Sequence, residues 1–259
     1  MWRAVVLLAI VACARAAEVP AGARVVSLTP SATEVVAALG ATSSLVAVDT
    51  YSHYPPAVDQ LPRVGDFLHP NLEAIVRLRP TLVIVDDVHG AVAHGLADAG
   101  IATVECPMHA LSDVRGALRT VGARLGKASD ADAAIARIDA AIAAAKAHPV
   151  AHVRVLAVID REAGGLGNTV GAGPGSWLDD LLAIEGAENV LAASPARYPK
   201  LALETLVRAE PDVILDASGQ PLAAWSAIHG RPVALPQQLF GGPSPRVGDA
   251  LDELARALR

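Results

Sequence analysis

Two Rossmann-like α/β lobes joined by a long helix are the fold class that the sequence predicts, and three observations carry that prediction. Short β-rich runs alternate with amphipathic helical patterns over most of the chain, which is the signature of a mainly parallel sheet. The alternation stops once, between about Leu111 and His148, where no convincing strand pattern occurs. One unit recurs on either side of that gap. Asn71-Leu-Glu-Ala-Ile-Val-Arg-Leu-Arg-Pro80 and Ala202-Leu-Glu-Thr-Leu-Val-Arg-Ala-Glu-Pro211 each read as a helix, a proline and then a strand. A chain of 259 residues is long enough for two lobes of roughly 100 to 130 residues.

The elements follow in order. Residues 1–17 read as a secretory signal: Met-Trp-Arg, an apolar stretch from Ala4 to Ala12, then small residues around Ala14-Arg15-Ala16. Ile10-Val11-Ala12-Cys13 also has the form of a lipobox, which would acylate Cys13. With Cys13 removed or acylated, Cys106 stands alone and no intrachain disulfide is available. In the first lobe, 23–125, Arg24 to Thr29 is a strand, and Ser31-Ala-Thr-Glu34 is a capping box opening a helix that Gly40 closes. Then come a strand from Leu45 to Val48, a Pro-rich loop from Tyr51 to Pro70, and a helix from about Asn71 to Leu78. The strand Thr81 to Val85, a helix around Ala91 to Ala99 and the strand Ile101 to Glu105 complete the lobe.

A bridging helix is expected over 126–149, capped by Ser129 with Asp132 and carrying Ile135, Ile138 and Ile142 on one face until Pro149 stops it. From Ser129 to His148 it would be roughly 30 Å long, enough to run between lobes. In the second lobe, 150–259, the strand Val153 to Ile159 precedes a Gly-rich loop from Gly164 to Gly175. Helix Trp177 to Ile184, a short strand near Val190, helix Leu203 to Ala209 and strand Asp212 to Leu215 follow. A helix around Trp225, the strand Val233 to Leu235 and a helix from about Arg246 to Leu258 end the chain.

Several chemistries are excluded. A formal net charge of -6 with no long basic run gives nucleic acid no phosphate-binding surface. No P-loop and no G-x-S-x-G elbow occur, and Gly171-Ala-Gly173-Pro-Gly175 fails the dinucleotide pattern; it reads as flexible backbone lining a cleft. Of eight histidines, His53, His69, His89, His94 and His109 lie in the first lobe, yet none sits in an H-E-x-x-H or pairs with a Cys-x-x-Cys. Asp86, Asp87 and His89 read as a strand end and a helix cap, ahead of a metallohydrolase centre or a zinc or manganese site. No catalytic residue, metal ligand or cofactor is assigned. Aromatics are only 3% of the chain, and Tyr51, Tyr54, Phe67, Trp177, Tyr198 and Phe240 nearly all fall in or beside loops. That placement favours a cleft outside the carboxyl ends of the strands, suited to a large flat ligand.

Arg24-Val-Val-Ser-Leu-Thr-Pro-Ser-Ala-Thr-Glu34, Tyr51-Ser-His-Tyr-Pro-Pro56, Val64-Gly-Asp-Phe67, Asn71-Leu-Glu73 and Arg79-Pro-Thr-Leu-Val-Ile84 resemble the helical-backbone periplasmic binding proteins for cobalamin, iron-siderophores and haem. The Tyr-Ser-x-Tyr-Pro-Pro loop and the Gly-Asp-Phe after it are most similar to the cobalamin branch. The resemblance implies a ligand held between lobes that a rigid helix joins. It implies that Tyr51 and Phe67 face a corrin from the first lobe and Tyr198 from the second, with Arg246 a polar contact at the rim and Ser31 in the same ligand set. It also implies that Glu73 and Glu204 dock onto arginines of an ABC importer permease. The implied function is periplasmic capture and delivery of a corrinoid such as cobalamin, with haem or a ferric siderophore as the alternative. Contact with the membrane would then be through the permease, or through a lipid anchor at Cys13.

Overall fold

The computed structural model describes residues 22–150 and 152–259; the expected signal segment and Cys13 lie outside the described residues. In the first lobe, β1 (Val25–Ser27), β2 (Leu45–Ala47), β3 (Leu82–Val85) and β4 (Thr103–Glu105) form a parallel sheet in the order β2-β1-β3-β4. In the second lobe, β5 (Arg154–Asp160) pairs in parallel with β8 (Val213–Asp216), which pairs in parallel with β9 (Arg231–Ala234). β6 (Val170–Gly171) runs antiparallel to the end of β5, and β7 (Glu188–Asn189) pairs in parallel with its start. Central strands β1, β3 and β8 are buried at every residue, which is why their sequences read as unbroken apolar runs rather than as alternation.

Helices cover both faces: α1 (Pro30–Ala38), α2 (Leu72–Arg77), α3 (Gly90–Asp98) and α4 (Leu111–Arg124) belong to the first sheet. α5 (Ala128–Ala147) follows, then α6 (Trp177–Glu185), α7 (Leu203–Ala209), α8 (Gln237–Phe240) and α9 (Val247–Leu258). The capping box expected at Ser31 does not form. α1 starts two residues earlier, at Pro30, whose ring suits the first helical position, and the Thr29 hydroxyl caps it by accepting the Ala32 N–H at 3.0 Å. Glu34 is left free for a partner far away in sequence.

Two other local expectations also change. α5 begins at Ala128 with Lys127 in the cap position and no side-chain cap, so neither Ser129 nor Asp132 opens it. The segment around Trp225 is a 3₁₀ turn, Leu222–Ala227, and not an α-helix. The Gly-rich stretch does not line the cleft as mobile backbone. It contains β6, and a Cβ on Gly173 would lie 2.4 Å from the Ala196 carbonyl oxygen, so glycine is required there for close packing.

α5 packs against α1 and α4 on one side and α6 and α9 on the other, burying Ala131, Ala134, Ile135 and Ile138. One apolar cluster therefore runs from Val25 and Ile84 through α5 to Val155, Leu215 and Trp177, while the outer face of each sheet carries a smaller cluster of its own. Hinging the lobes apart would open that shared core, at roughly 1.5–3 kcal/mol for each large side chain exposed. The bridging helix is stiff because it is part of the core.

Candidate functional site

In a sheet ordered β2-β1-β3-β4, the chain leaves β1 and β3 toward opposite faces: α1 packs on the inner face and α3 on the outer. The crevice outside the carboxyl ends of two such strands is the usual place for a ligand. Here Thr29, Pro30 and Ser31 follow β1, Asp86 follows β3, and Met108 and His109 come soon after β4. From the second lobe Gln237, Gln238 and residues 241–244 close over them, enclosing a cleft of about 540 Å³. That volume is ordinary for a small-molecule site.

Tyr51, Ser52, His53 and Tyr54 form one side of the cleft on a braced loop. The Tyr51 N–H donates to Asp49 Oδ2 at 2.8 Å, and the Ser52 hydroxyl donates to Asp49 Oδ1. Arg63 donates to the carbonyls of Asp49 and Ser52. Burial pushes the Asp49 carboxyl up, against hydrogen bonds from Ser52 and Tyr51 that hold it down. Tyr51 itself stays 62% exposed, its ring free to meet a ligand. Phe67 is placed by a second brace. Gly65 has φ +105°, and any Cβ there would lie 2.3 Å from the His69 carbonyl; Asp66 Oδ1 then accepts the N–H groups of Leu68 and His69, both at 2.8 Å.

His89 turns out to belong to this brace and not to a carboxylate cluster. Its Nδ1 accepts the Asp86 N–H at 3.0 Å, its Nε2 donates to the Phe67 carbonyl at 2.6 Å, and its ring meets the Phe67 ring edge-on at 5.3 Å. The place beside Asp86 and Asp87 is taken by His109, whose Nε2 lies 3.2 Å from both Asp87 oxygens. Burial, together with the neighbouring Asp87, raises the Asp86 carboxyl to about 6, while hydrogen bonding from Asp86 and then His109 keeps Asp87 below the usual carboxylate range.

Of the residues expected to contact ligand, Ser31, Tyr51 and Phe67 line the cleft together, and Tyr198 and Arg246 do not. Tyr198 reaches across the lobes, its hydroxyl donating to the His109 carbonyl at 3.3 Å. Arg246 is held in a fork by Glu34, with Nε to Oε2 at 2.9 Å and Nη2 to Oε1 at 2.7 Å, and it lies over the Tyr54 ring at 4.0 Å. Ser244 donates to the same carboxylate. Burial works against the Arg246 charge, but its bond to Glu34 outweighs this and raises its pKa. Glu73 and Glu204 are both exposed in first turns, far from this network in role.

Polar cleft residues that the sequence did not place at a ligand site include Thr29, Glu34, Ser52, His109, Gln237, Gln238 and Ser244, together with Asp86, which read as a strand end and helix cap. For Ser52 the signal was at hand, since it shares the Tyr51–Tyr54 loop. The glutamines sit in a single helical turn after Pro236, too short to show a period.

The Glu34–Arg246 pair ties the first lobe to the second, with side chains only 6% and 17% exposed. Glu34→Ala is expected to cost about 2–3 kcal/mol, somewhat below the ~3–5 of a fully dry pair because the guanidinium keeps some access to water. Chemical denaturation would measure it; a loss under about 0.5 kcal/mol would mean that Arg246 finds water or the Gln238 carbonyl sufficient.

The sequence profile of a family described as periplasmic binding protein matches residues 25–225. The vitamin B12-binding protein of Vibrio cholerae is 26% identical over 253 residues, covering 91% of this chain and 89% of the relative. The periplasmic haem-binding protein RhuT of Roseiflexus sp. RS-1 superimposes with a TM-score of 0.80 at 28% identity, over 91% of this chain and 97% of that one. A periplasmic haem-binding protein of Pseudomonas aeruginosa gives 0.75 at 32% identity, over 91% and 92%.

Proposed function

Because this chain belongs to the periplasmic binding protein family, we propose that it is exported, takes a corrinoid into the cleft and hands it to an ABC importer permease. The observation that carries this reading is the charge of the lining. Among the described residues no lysine or arginine lines the cleft; its polar groups are the hydroxyls of Thr29, Ser31, Ser52 and Ser244, the phenols of Tyr51 and Tyr54, the imidazoles of His53 and His109, the amides of Gln237 and Gln238, and the carboxylates of Glu34 and Asp86. A corrin is fringed by neutral amides that such groups can hydrogen-bond. Haem brings two carboxylates, which stay expensive to desolvate without a cation beside them. Tyr51 and Phe67 supply rings against a macrocycle, and the vitamin B12-binding relative supports the same choice.

Haem is the second reading, favoured by the 32% identity to a haem-binding protein and by the Tyr51 phenol and His53 and His109 imidazoles in the cleft, all iron donors. Titration with cyanocobalamin and with haem, followed by visible absorbance and calorimetry, separates the two. Saturable one-to-one corrinoid binding is expected, weakened roughly tenfold in Tyr51→Ala by loss of about 1 kcal/mol or more of ring contact, with an unchanged melting temperature. Saturation by haem with no corrinoid response would make the second reading the right one.

Delivery requires a docking surface, and we assign it to Glu73 on α2 and Glu204 on α7. Each is exposed in the first turn of its helix, at matching places in the two lobes.

A further inference from the structure

We propose that Asp86, Asp87 and His109 bind a divalent transition-metal ion of the zinc class in the first-lobe wall of the cleft, with open coordination positions facing the cavity. One ligand atom from each of these residues lies within 4.8 Å of the others. His109 Nε2 is 3.2 Å from Asp87 Oδ1 and 3.9 Å from Asp86 Oδ1. For bonds of about 2.1 Å, the edges of a tetrahedral site are roughly 3.4 Å, so the separations from His109 to the two carboxylates are already close to those around a bound ion.

A separate observation points to an occupant. Asp86 Oδ1 is buried without a hydrogen-bond partner among the described residues, on a side chain 3% exposed that lines the cleft. A buried carboxylate oxygen left unpartnered is rare, because its desolvation returns nothing. A cation beside it supplies the missing partner.

The donor set selects the ion class. One imidazole and two carboxylates suit zinc, cobalt or manganese; calcium and magnesium prefer oxygen alone, and copper(I) prefers sulfur. The backbone that carries the imidazole is also held in place. The His109 main-chain N–H donates to Asp113 Oδ2 at 2.9 Å, its carbonyl accepts from Tyr198, and two residues on the Leu111 N–H donates to Asp180 Oδ2 at 2.8 Å. Three protein ligands leave at least one position for a water or for a donor atom of the molecule in the cleft. His109 lies 22 residues from Asp87 and outside any spacing motif, which is why the sequence shows no such site.

Cobalt(II) titration of the purified, metal-stripped chain without cargo tests this, followed by visible d–d absorption and zinc displacement, and its outcome does not depend on which cargo binds. One equivalent should saturate the spectrum. His109→Gln and Asp87→Asn should each weaken cobalt binding by more than about tenfold, with circular dichroism of the metal-free variants matching wild type. His69→Gln, at the exposed pair His69–Asp66, should bind as wild type does. Absence of a saturable spectrum, an unaltered one in His109→Gln, or its loss in His69→Gln would each overturn the assignment.

Discussion

Asp216→Ala is expected to lower the unfolding free energy by about 3–5 kcal/mol, the range for breaking a buried ion pair from one side. Asp216 ends β8 and is 1% exposed. Its Oδ2 accepts Arg161 Nε at 2.7 Å and the Trp225 indole N–H at 2.7 Å, and its Oδ1 accepts the Ser218 N–H at 3.0 Å and the Ser218 hydroxyl. The Arg161 side chain is 0% exposed and donates its remaining groups to the carbonyls of Gly165 and Pro221, each at 2.8 Å. Removing the carboxylate therefore strands a guanidinium and an indole N–H with no water in reach. Cα-to-carboxylate volume is small, so the lost charge matters more than the cavity.

Acid should expose the same interaction. Burial works to raise the Asp216 carboxyl, but hydrogen bonds from Ser218, Trp225 and Arg161 outweigh it and hold the group below its usual 3.8. A folded pKa below the unfolded one means that the unfolded chain binds more protons in acid. The stabilisation is thus complete above about pH 4 and lost as pH falls through the folded value, so the wild type should have a steeper acid limb than Asp216→Ala. Urea midpoints measured across that range decide it. A loss below about 1 kcal/mol at neutral pH would mean that the Arg161 site opens to water.

Replacing both Glu73 and Glu204 by alanine is expected to bring cargo-stimulated ATPase of the reconstituted importer down to its basal rate. The expectation rests on the proposed delivery function. Glu73 is 81% exposed, and its contact with Arg77 at 3.7 Å is a loose pair one helical turn away. α2 is already capped by Asn71, whose side chain accepts the Ala74 N–H at 2.9 Å, so Glu73 is not needed to satisfy that helix end. On α7, Leu203 and Val207 are 56% and 52% exposed beside Glu204, an apolar border around the charge. Two interfacial pairs at about 1.5 kcal/mol each would make docking on the order of a hundredfold weaker when both are removed. Cargo affinity and melting temperature should barely move. Stimulation at the wild-type level would reduce these carboxylates to partners of their helix dipoles, worth only about 0.3–1 kcal/mol.

Much of this protein is local, and what is local was legible. Apolar runs mark β1, β3 and β8, the spacing of Ile135, Ile138 and Ile142 marks the face of α5, and the repeated helix-proline-strand unit marks the two lobes. Each of these depends on neighbours within a few residues, through backbone period, turn chemistry or a cap. The Ser31 capping box failed for a reason of the same range, since Pro30 and Thr29 make a better helix start two residues earlier. Tyr51 and Phe67 were likewise readable as loop aromatics, because a chain with so few rings makes each ring conspicuous; in the structure Tyr51 is exposed and Phe67 half-buried.

Pairings across the fold were decided by tertiary structure alone. Glu34 meets Arg246 from 212 residues away, Tyr198 meets His109 from 89, and Arg161 meets Asp216 from 55. Nothing in the neighbourhood of any one of these residues specifies the other, because their meeting depends on which strand ends face each other once both sheets have packed on α5. The sequence by itself determined two α/β lobes, a bridging helix and three first-lobe aromatics of the cleft, Tyr51, Tyr54 and Phe67, whereas Trp177 and Phe240, also expected beside loops at the cleft, are buried in the core. Only the packed structure decided that, among the described residues, the cleft carries carboxylates and two imidazoles but no arginine, since burial and closure, and not spacing, chose which polar groups face inward.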